Sequence, residues 1–182
     1  MYVKLFEKFN EKWYHGSKEY FTEFKLKKGT LLDYNYIAPI FLTSDKEFAK
    51  EHAGYKTPYI YEIEVLTDNI FDYKKLPSGY NLMYYVEDNI KKDNKDYELG
   101  KKLYMDIFLE NIDVKPYSYQ DVDELYSRII TGDYCYLEEV WFYEWLKFNN
   151  FDGAYINETG AKNLYIFNPN DLKIINVEKL NY

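Results

Sequence analysis

The chain contains two histidines, His15 and His52, and theirs are the only side chains in it whose ordinary pKa lies near neutrality. His15 is followed by Gly16, where the missing Cβ lets a ligand approach the backbone, and by Ser17, whose hydroxyl can donate and accept. The alternative role for His15 is that of a polar residue at a strand end. His52 falls on the apolar face of a short helical pattern, where it serves either as a core aromatic or as a ligand contact. Other chemistry-bearing residues read as structural. Glu62 and Glu64 alternate with apolar residues and read as solvated, and Glu138 and Glu139 read as helix-surface residues near a first turn that favours negative charge. Cys135, the single cysteine, cannot form an internal disulfide; beside Tyr134, Tyr136 and Leu137 it reads as a small buried hydrophobe in a reducing compartment. No metal-ligand spacing is present, no glycine-rich phosphate loop, and no sequence partner that would make the cysteine a nucleophile.

Three stretches must position these residues. Lys12 to Gly16 reads as a strand, and the alternation of Tyr59, Tyr61, Ile63 and Val65 with Ile60 and the two glutamates marks a half-buried strand over 59–65. Between them Ser44 and Glu47 have the spacing of a capping box, opening a helix that carries Phe48, Ala49, His52 and Ala53 on one face and stops at Gly54. From Pro77 to Asn150 the period becomes helical. Val122, Leu125, Tyr126, Ile129 and Ile130 form an apolar stripe within 118–132, with Gly132 as its C-terminal cap. A second helix is predicted from about Tyr134 to Phe148, burying Leu137, Val140, Trp141, Trp145 and Phe148; the aromatics Trp141, Phe142, Tyr143 and Trp145 exceed one buried stripe and suggest a partner surface. The run from Lys91 to Asp96 reads as a solvated break between two earlier helices. After a turn at Phe151-Asp152-Gly153, strands are predicted over 154–157, 163–168 and 172–176. The expected class is α+β, a single domain over 1–182 with a helical insertion at about 77–150.

With 182 residues, 47% hydrophobic and 30% charged, the chain is neither disordered nor low-complexity, and folding buries roughly 70% of its unfolded surface. The 23 tyrosines explain how a mean hydropathy of -0.58 coexists with that apolar content, and they predict an aromatic core rich in hydroxyls that need partners. A net charge of -8 and a single arginine, Arg128, oppose adhesion to a phosphate backbone or an anionic membrane. No apolar run approaches the roughly 20 residues of a membrane span, and MYVKLFEKFNEKW lacks the core of a secretion signal; the expected location is cytoplasmic.

The order of Trp13-Tyr14-His15-Gly16-Ser17, Pro39-Ile40-Phe41-Leu42-Thr43-Ser44 with Phe48-Ala49-Lys50-Glu51-His52-Ala53, the 59–65 strand, Asp152-Gly153 and Asn163-Leu164-Tyr165-Ile166-Phe167-Asn168-Pro169 resembles one family. It is similar to the ADP-ribosyltransferases of the diphtheria-toxin and poly(ADP-ribose) polymerase type, most of all to small versions in phage and mobile-element polyproteins. The likeness covers about residues 12–75 and 148–176. It implies a split β-sandwich with an NAD cleft between two small sheets, His15 bonding the adenosine ribose and the Gly16 backbone holding the nicotinamide amide. Phe41 falls at a position that is usually tyrosine, His52 where an aromatic stacks on nicotinamide, and Thr43 and Ser44 near the same wall. The position of the family's catalytic glutamate is held here by Asn163, which can position a sugar but supplies no negative charge; Glu158 is the nearest carboxylate in sequence.

The activity implied is mono-ADP-ribosyl transfer from NAD, as substrate, to a target protein of host or competitor, with no metal. Lys25, Lys27 and Lys28 are candidates for the pyrophosphate or for a solvated basic turn, and the helical insertion is the expected place for target recognition. A silent domain of the same fold that binds a protein partner is the alternative, and transfer to nucleic acid the third reading.

Overall fold

The computed structural model describes residues 11–31, 34–52, 58–78, 95–108, 122–158 and 160–181, with backbone alone for 27–31, 34–37 and 52. The described strands are β1 (Trp13–Ser17), β2 (Lys27–Leu31), β3 (Tyr34–Ala38), β4 (Ile40–Thr43), β5 (Tyr59–Val65), β6 (Ile70–Phe71), β7 (Gly153–Glu158), β8 (Ala161–Ile166) and β9 (Leu172–Lys179). The described helices are α1 (Lys46–His52), α2 (Lys95–Phe108), α3 (Val122–Ile130), α4 (Tyr134–Leu137) and α5 (Val140–Phe148). The class is α+β. Strands β2 and β3 form a hairpin of their own, and the rest make one mixed sheet in the order β6-β7-β8-β4-β1-β5-β9. Among the described strand pairs β6–β7 is parallel and the others are antiparallel.

The centre of that sheet is its thinnest joint. β1 pairs with β5 from Trp13↔Ile63 to Ser17↔Tyr59, and β4 pairs with β8 from Ile40↔Ile166 to Thr43↔Asn163. Between β1 and β4 the register holds at a single pair, Tyr14↔Thr43. An antiparallel ladder that stops leaves backbone groups needing other partners. One is supplied by a side chain, since His15 Nδ1 donates to the Phe41 carbonyl at 2.8 Å.

Alternation along the strands sends side chains to two cores. On one face Trp13, Ile40, Leu42, Tyr61, Ile63, Leu164, Ile166 and Leu172 are buried together. On the other, Ala154, Ile156 and Tyr165 meet Leu125, Tyr126, Ile129, Leu137, Phe142 and Leu146 from the helices. Complete burial of a side chain such as Phe142 or Leu146 contributes about 1.5–3 kcal/mol. Buried phenols find carbonyls: Tyr126 donates to Pro77 and Tyr165 to Leu137, each at 2.9 Å.

Several expectations change here. The helix expected from Tyr134 to Phe148 is two, because Glu138 leaves helical geometry and Glu139 is extended at φ -70°, ψ 143°. The first piece is capped by the Asp133 carboxylate, which accepts from Cys135 N–H at 3.1 Å. The break turns α5 so that Trp141, Phe142, Tyr143, Trp145 and Leu146 are all buried between sheet and helices, which removes the suggested aromatic partner surface, whereas Phe148 is 78% exposed. Cys135 is exposed rather than buried. Helix α1 is capped by Asp45, whose Oδ1 accepts from Glu47 and Phe48 N–H groups, while Ser44 bonds the Lys162 carbonyl on β8 instead. Of the expected break at 91–96, residues 91–94 lie outside the described residues, and Lys95 and Asp96 begin α2. Residues 53–57, including the expected stop at Gly54, also lie outside them. No helix among the described residues is long and apolar enough to cross a membrane.

Gly153 opens β7 where the strand backbone closes on β8. A Cβ there would stand 2.1 Å from the Tyr165 carbonyl oxygen and 2.9 Å from Ile166 Cδ1. Backbone cannot yield as a side-chain tip does, so Gly153→Ala is expected to destabilise the fold by about 2–3 kcal/mol, read as a lowered midpoint in urea denaturation.

Candidate functional site

The residues beside the thin joint line a cleft of about 450 Å³ including its open mouth. His15 and Gly16 reach it from the end of β1, Phe41 and Thr43 from β4, Asn163 from β8, and Ile156 and Glu158 from β7. Phe48 and Ala49 of α1 close one side, held there by the Asp45 cap that starts the helix directly after β4. The walls are largely apolar and aromatic, with a few polar groups, as in most small-molecule sites. Among the lining residues there is no lysine or arginine.

His15 is held from several directions. Its bond to the Phe41 carbonyl requires the hydrogen on Nδ1, so the neutral ring has Nε2 as its acceptor nitrogen. The rings of Phe24, Phe21 and Tyr61 surround it edge-on or tilted, with centroids at 5.2, 6.1 and 6.4 Å. Tyr61 in turn accepts from Phe21 N–H at 2.7 Å, which fastens the segment after β1 over the histidine.

Among the described residues Asn163 and Thr43 are the buried polar ones, 3% and 5% exposed, and they face each other in the β4–β8 register. Thr43 is satisfied, its hydroxyl accepting from Asp45 N–H at 3.2 Å. Asn163 is not: neither Oδ1 nor Nδ2 has a hydrogen-bond partner. A buried amide with its donor and acceptor both unmet costs about 1–3 kcal/mol, and it is matched by any group that both accepts and donates, such as a sugar hydroxyl or a carboxamide.

One carboxyl group completes the inner wall, and a second lies outside the lining. Glu158 lines the cleft at the end of β7, opposite Ala161. Glu138, expected at a helix surface, is instead half-buried in the break between α4 and α5; loss of water around it, and secondarily the charge of Glu158, push its carboxyl up to about 7.

Of the expected site residues, the structure brings His15, Gly16, Phe41, Thr43, Asn163 and Glu158 to one cleft. Ser17 lies outside its lining, with its hydroxyl donating to the Glu19 carbonyl at 2.9 Å. The backbone of His52 ends α1, and its side chain falls outside the described residues, as do those of Lys27 and Lys28. Lys25 pairs with Glu23 at 2.9 Å. Among the described residues no three His, Cys, Asp or Glu side chains gather to hold a metal ion. Sequence reasoning did not single out Tyr14, Ile156 or Glu138. Tyr14 and Ile156 had a usable signal in strand alternation, since they share a face with Gly16 and Glu158. Glu138 had none, because its burial depends on a helix break and on distant strands.

Compared with protein-family models, curated proteins and solved structures, the chain finds no match.

Two outcomes are expected from these environments. Asn163→Leu, which replaces the unmet amide by an apolar group of similar size, is expected to raise stability in urea by about 1–2 kcal/mol. The second concerns pH. Glu138 binds its proton more tightly folded, at about 7, than unfolded, where its carboxyl titrates in the ordinary range near 4.5. Its contribution is therefore fully present below the unfolded value and is lost as pH rises through about 7. Allowing for partial exposure, unfolding between pH 5 and 8 should show a loss of roughly 2 kcal/mol that Glu138→Gln abolishes.

Proposed function

We propose that this chain is an ADP-ribosyltransferase-type domain that binds NAD as substrate in the cleft beside the β1–β4 joint and transfers ADP-ribose to a protein. The fold reading is a split β-sandwich with a helical insertion. Support comes from the sheet's near-division at Tyr14↔Thr43, from the helices that intervene between β6 and β7, and from the meeting of the resemblance's residues around one cleft. The observation that carries the proposal is Asn163: a 97% buried amide without a partner, opening onto an apolar cleft beside His15. Natural cores rarely leave such a group unmet unless a ligand meets it.

In this reading Asn163 bonds a hydroxyl of the nicotinamide ribose, and the neutral His15 ring accepts from the adenosine ribose. Phe41 and Phe48 flank flat heterocycles, and the Gly16 backbone holds the carboxamide. The glycosidic C–N bond breaks with its electron pair leaving on nicotinamide. The target nucleophile then bonds the ribose carbon and gives up its proton to a carboxylate or to water. Holding both partners in one cleft supplies much of the rate. The setting we favour is a phage or mobile-element protein turned on host or competitor machinery inside the cytoplasm. The amide at Asn163, in place of a carboxylate, specifically favours a second reading, a binding domain that holds the nucleotide without cleaving it.

Purified protein with labelled NAD and bacterial lysate is expected to label discrete protein bands and release nicotinamide. His15→Ala should lower both about ten- to a hundredfold, through loss of a hydrogen-bonding group and of the tie to Phe41. NAD binding in calorimetry without nicotinamide release would favour the silent domain, and absence of binding would overturn both readings.

A further inference from the structure

We infer that the outer edge of β9 pairs with β9 of a second copy of this chain, antiparallel about a two-fold axis beside Ile175, so that two copies share one continuous sheet. The pairing does not depend on what the cleft binds.

β9 ends the sheet, bonded to β5 along one side and to no other strand among the described residues. A strand of eight residues at an edge presents a row of backbone N–H and C=O groups on which another strand can form. Two hydrogen bonds at its ends tell which groups face out. Leu66 N–H donates to the Asp171 carbonyl and Leu180 N–H to the Pro58 carbonyl, each at 2.8 Å, so residues 171 and 180 turn their backbone toward β5. In an antiparallel strand alternate residues turn to alternate sides. Counted from Asp171, Leu172 and Ile174 turn outward; counted back from Leu180, Lys179 and Val177 do. The two counts are out of step by one residue, and the register shows where. Ile63 lies opposite Ile174 and Glu62 opposite Asn176, which leaves Ile175 as a bulge, 50% exposed.

This bulge selects the partner. A regular strand matched to β9 on one side of Ile175 slips by one residue on the other, and a slip of one turns side chains to the wrong face. A second copy carries the same extra residue at the same point. With Ile174 set opposite Val177 of the second copy, Lys173 falls opposite Glu178 and Leu172 opposite Lys179, and the same pairs recur beyond the axis. The four outward-facing residues of each edge then meet one another as hydrogen-bonded pairs. The faces agree as well. Leu172, Ile174 and Val177 lie opposite Val65, Ile63 and Tyr61 and pack with them on one face, while Lys173, Asn176 and Glu178 lie on the other. Without the bulge Lys173 and Glu178, five residues apart, would project to opposite faces and could not meet.

Charge favours the same register. Lys173 pairs with Glu64 of β5 at 3.0 Å, and Glu178 with Lys46 of α1, and all four side chains keep more than a third of their surface in water. Joined in this way the copies present a row of alternating sign, from Glu64 and Lys173 to Glu178 and Lys46 of the second copy, and symmetry repeats the row. Opposite charges directly across a strand pair favour it, and like charges oppose it. The net charge of -8 on each copy works against association, which leaves the local pairs to set where the copies join.

Sedimentation equilibrium of the full chain from about 10 μM to about 1 mM is expected to show monomer and dimer in exchange. Lys173→Glu and Glu178→Lys each put like charges at both symmetric pairs, and each should weaken the dimer about tenfold. Mixed in equal amounts, the two variants make both pairs complementary again, and the dimer should return as a hybrid of the two. A variant that had merely failed to fold would not be rescued by mixing. A chain monomeric over the whole range, a dimer indifferent to both substitutions, or a mixture no stronger than either variant alone would overturn the pairing.

Discussion

A single register pair, Tyr14↔Thr43, joins the ladders of the two halves of the sheet, and the cleft lies beside the point where that ladder stops. In an uninterrupted sheet, β1 and β4 would satisfy each other's backbone along their length and leave no space between them. Here the imidazole of His15 reaches the Phe41 carbonyl and takes the place of a strand partner. The same side chain therefore closes a backbone deficit and lines the cleft that the deficit creates. Substituting it disturbs scaffold and site together, which is why the residues that only face the cleft are the cleaner reporters of binding.

The rest of the interior shows how unusual Asn163 is. An aromatic core carries many hydroxyls, and those of Tyr61, Tyr126 and Tyr165 are all bonded to backbone, tying outlying segments onto the sheet. Thr43, across the strand from Asn163, is satisfied by the start of α1. The fold finds partners for these buried phenols and threonine, yet among the described residues it leaves both ends of the Asn163 amide unmet, along with the indole N–H of Trp141 in the helical core. Glu138 adds a carboxyl withheld from water on the same side. Both features lower stability, and both lie against the cleft or the strand hairpin that forms it.

Local pattern carried the strands well. The alternation in Tyr59–Val65 and the Asp152-Gly153 turn reported their structures because a period of two and a close backbone approach are written in neighbouring residues. Apolar periodicity from Tyr134 to Phe148 persists through Glu138 and Glu139, so the sequence pattern carries no sign of the break that packing imposes there. Cys135 and Phe148 sit on outward faces for the same reason. At α1 the competition between Ser44 and Asp45 for the cap was decided by Lys162, whose carbonyl draws Ser44 to β8. Sheet order is likewise a tertiary matter: nothing between Ser17 and Ile40 says that β1 and β4 will meet at one pair. The candidate site was legible through the order of its motifs, whereas the burial of Glu138, which belongs to none of them and lies outside the lining, was not.

Charge decides how a dinucleotide would sit. The chain carries a net -8, and the lining of the cleft offers no lysine or arginine, so the pyrophosphate has no fixed cation at the inner wall. Two unit charges about 4 Å apart still interact by roughly 4 kcal/mol at the effective dielectric of a protein surface, enough to forbid phosphate beside Glu158. The nicotinamide end of NAD is the opposite case, being flat, partly apolar and positively charged. Phe41, Phe48, Ile156 and Glu158 suit that end. The ligand would then enter with its cationic ring against the β7–β8 hairpin and its phosphates toward the mouth, where backbone N–H groups and water can meet them. In that orientation the ribose next to the ring would fall beside Asn163, with Glu158 on the neighbouring strand presented to the same side of the hairpin.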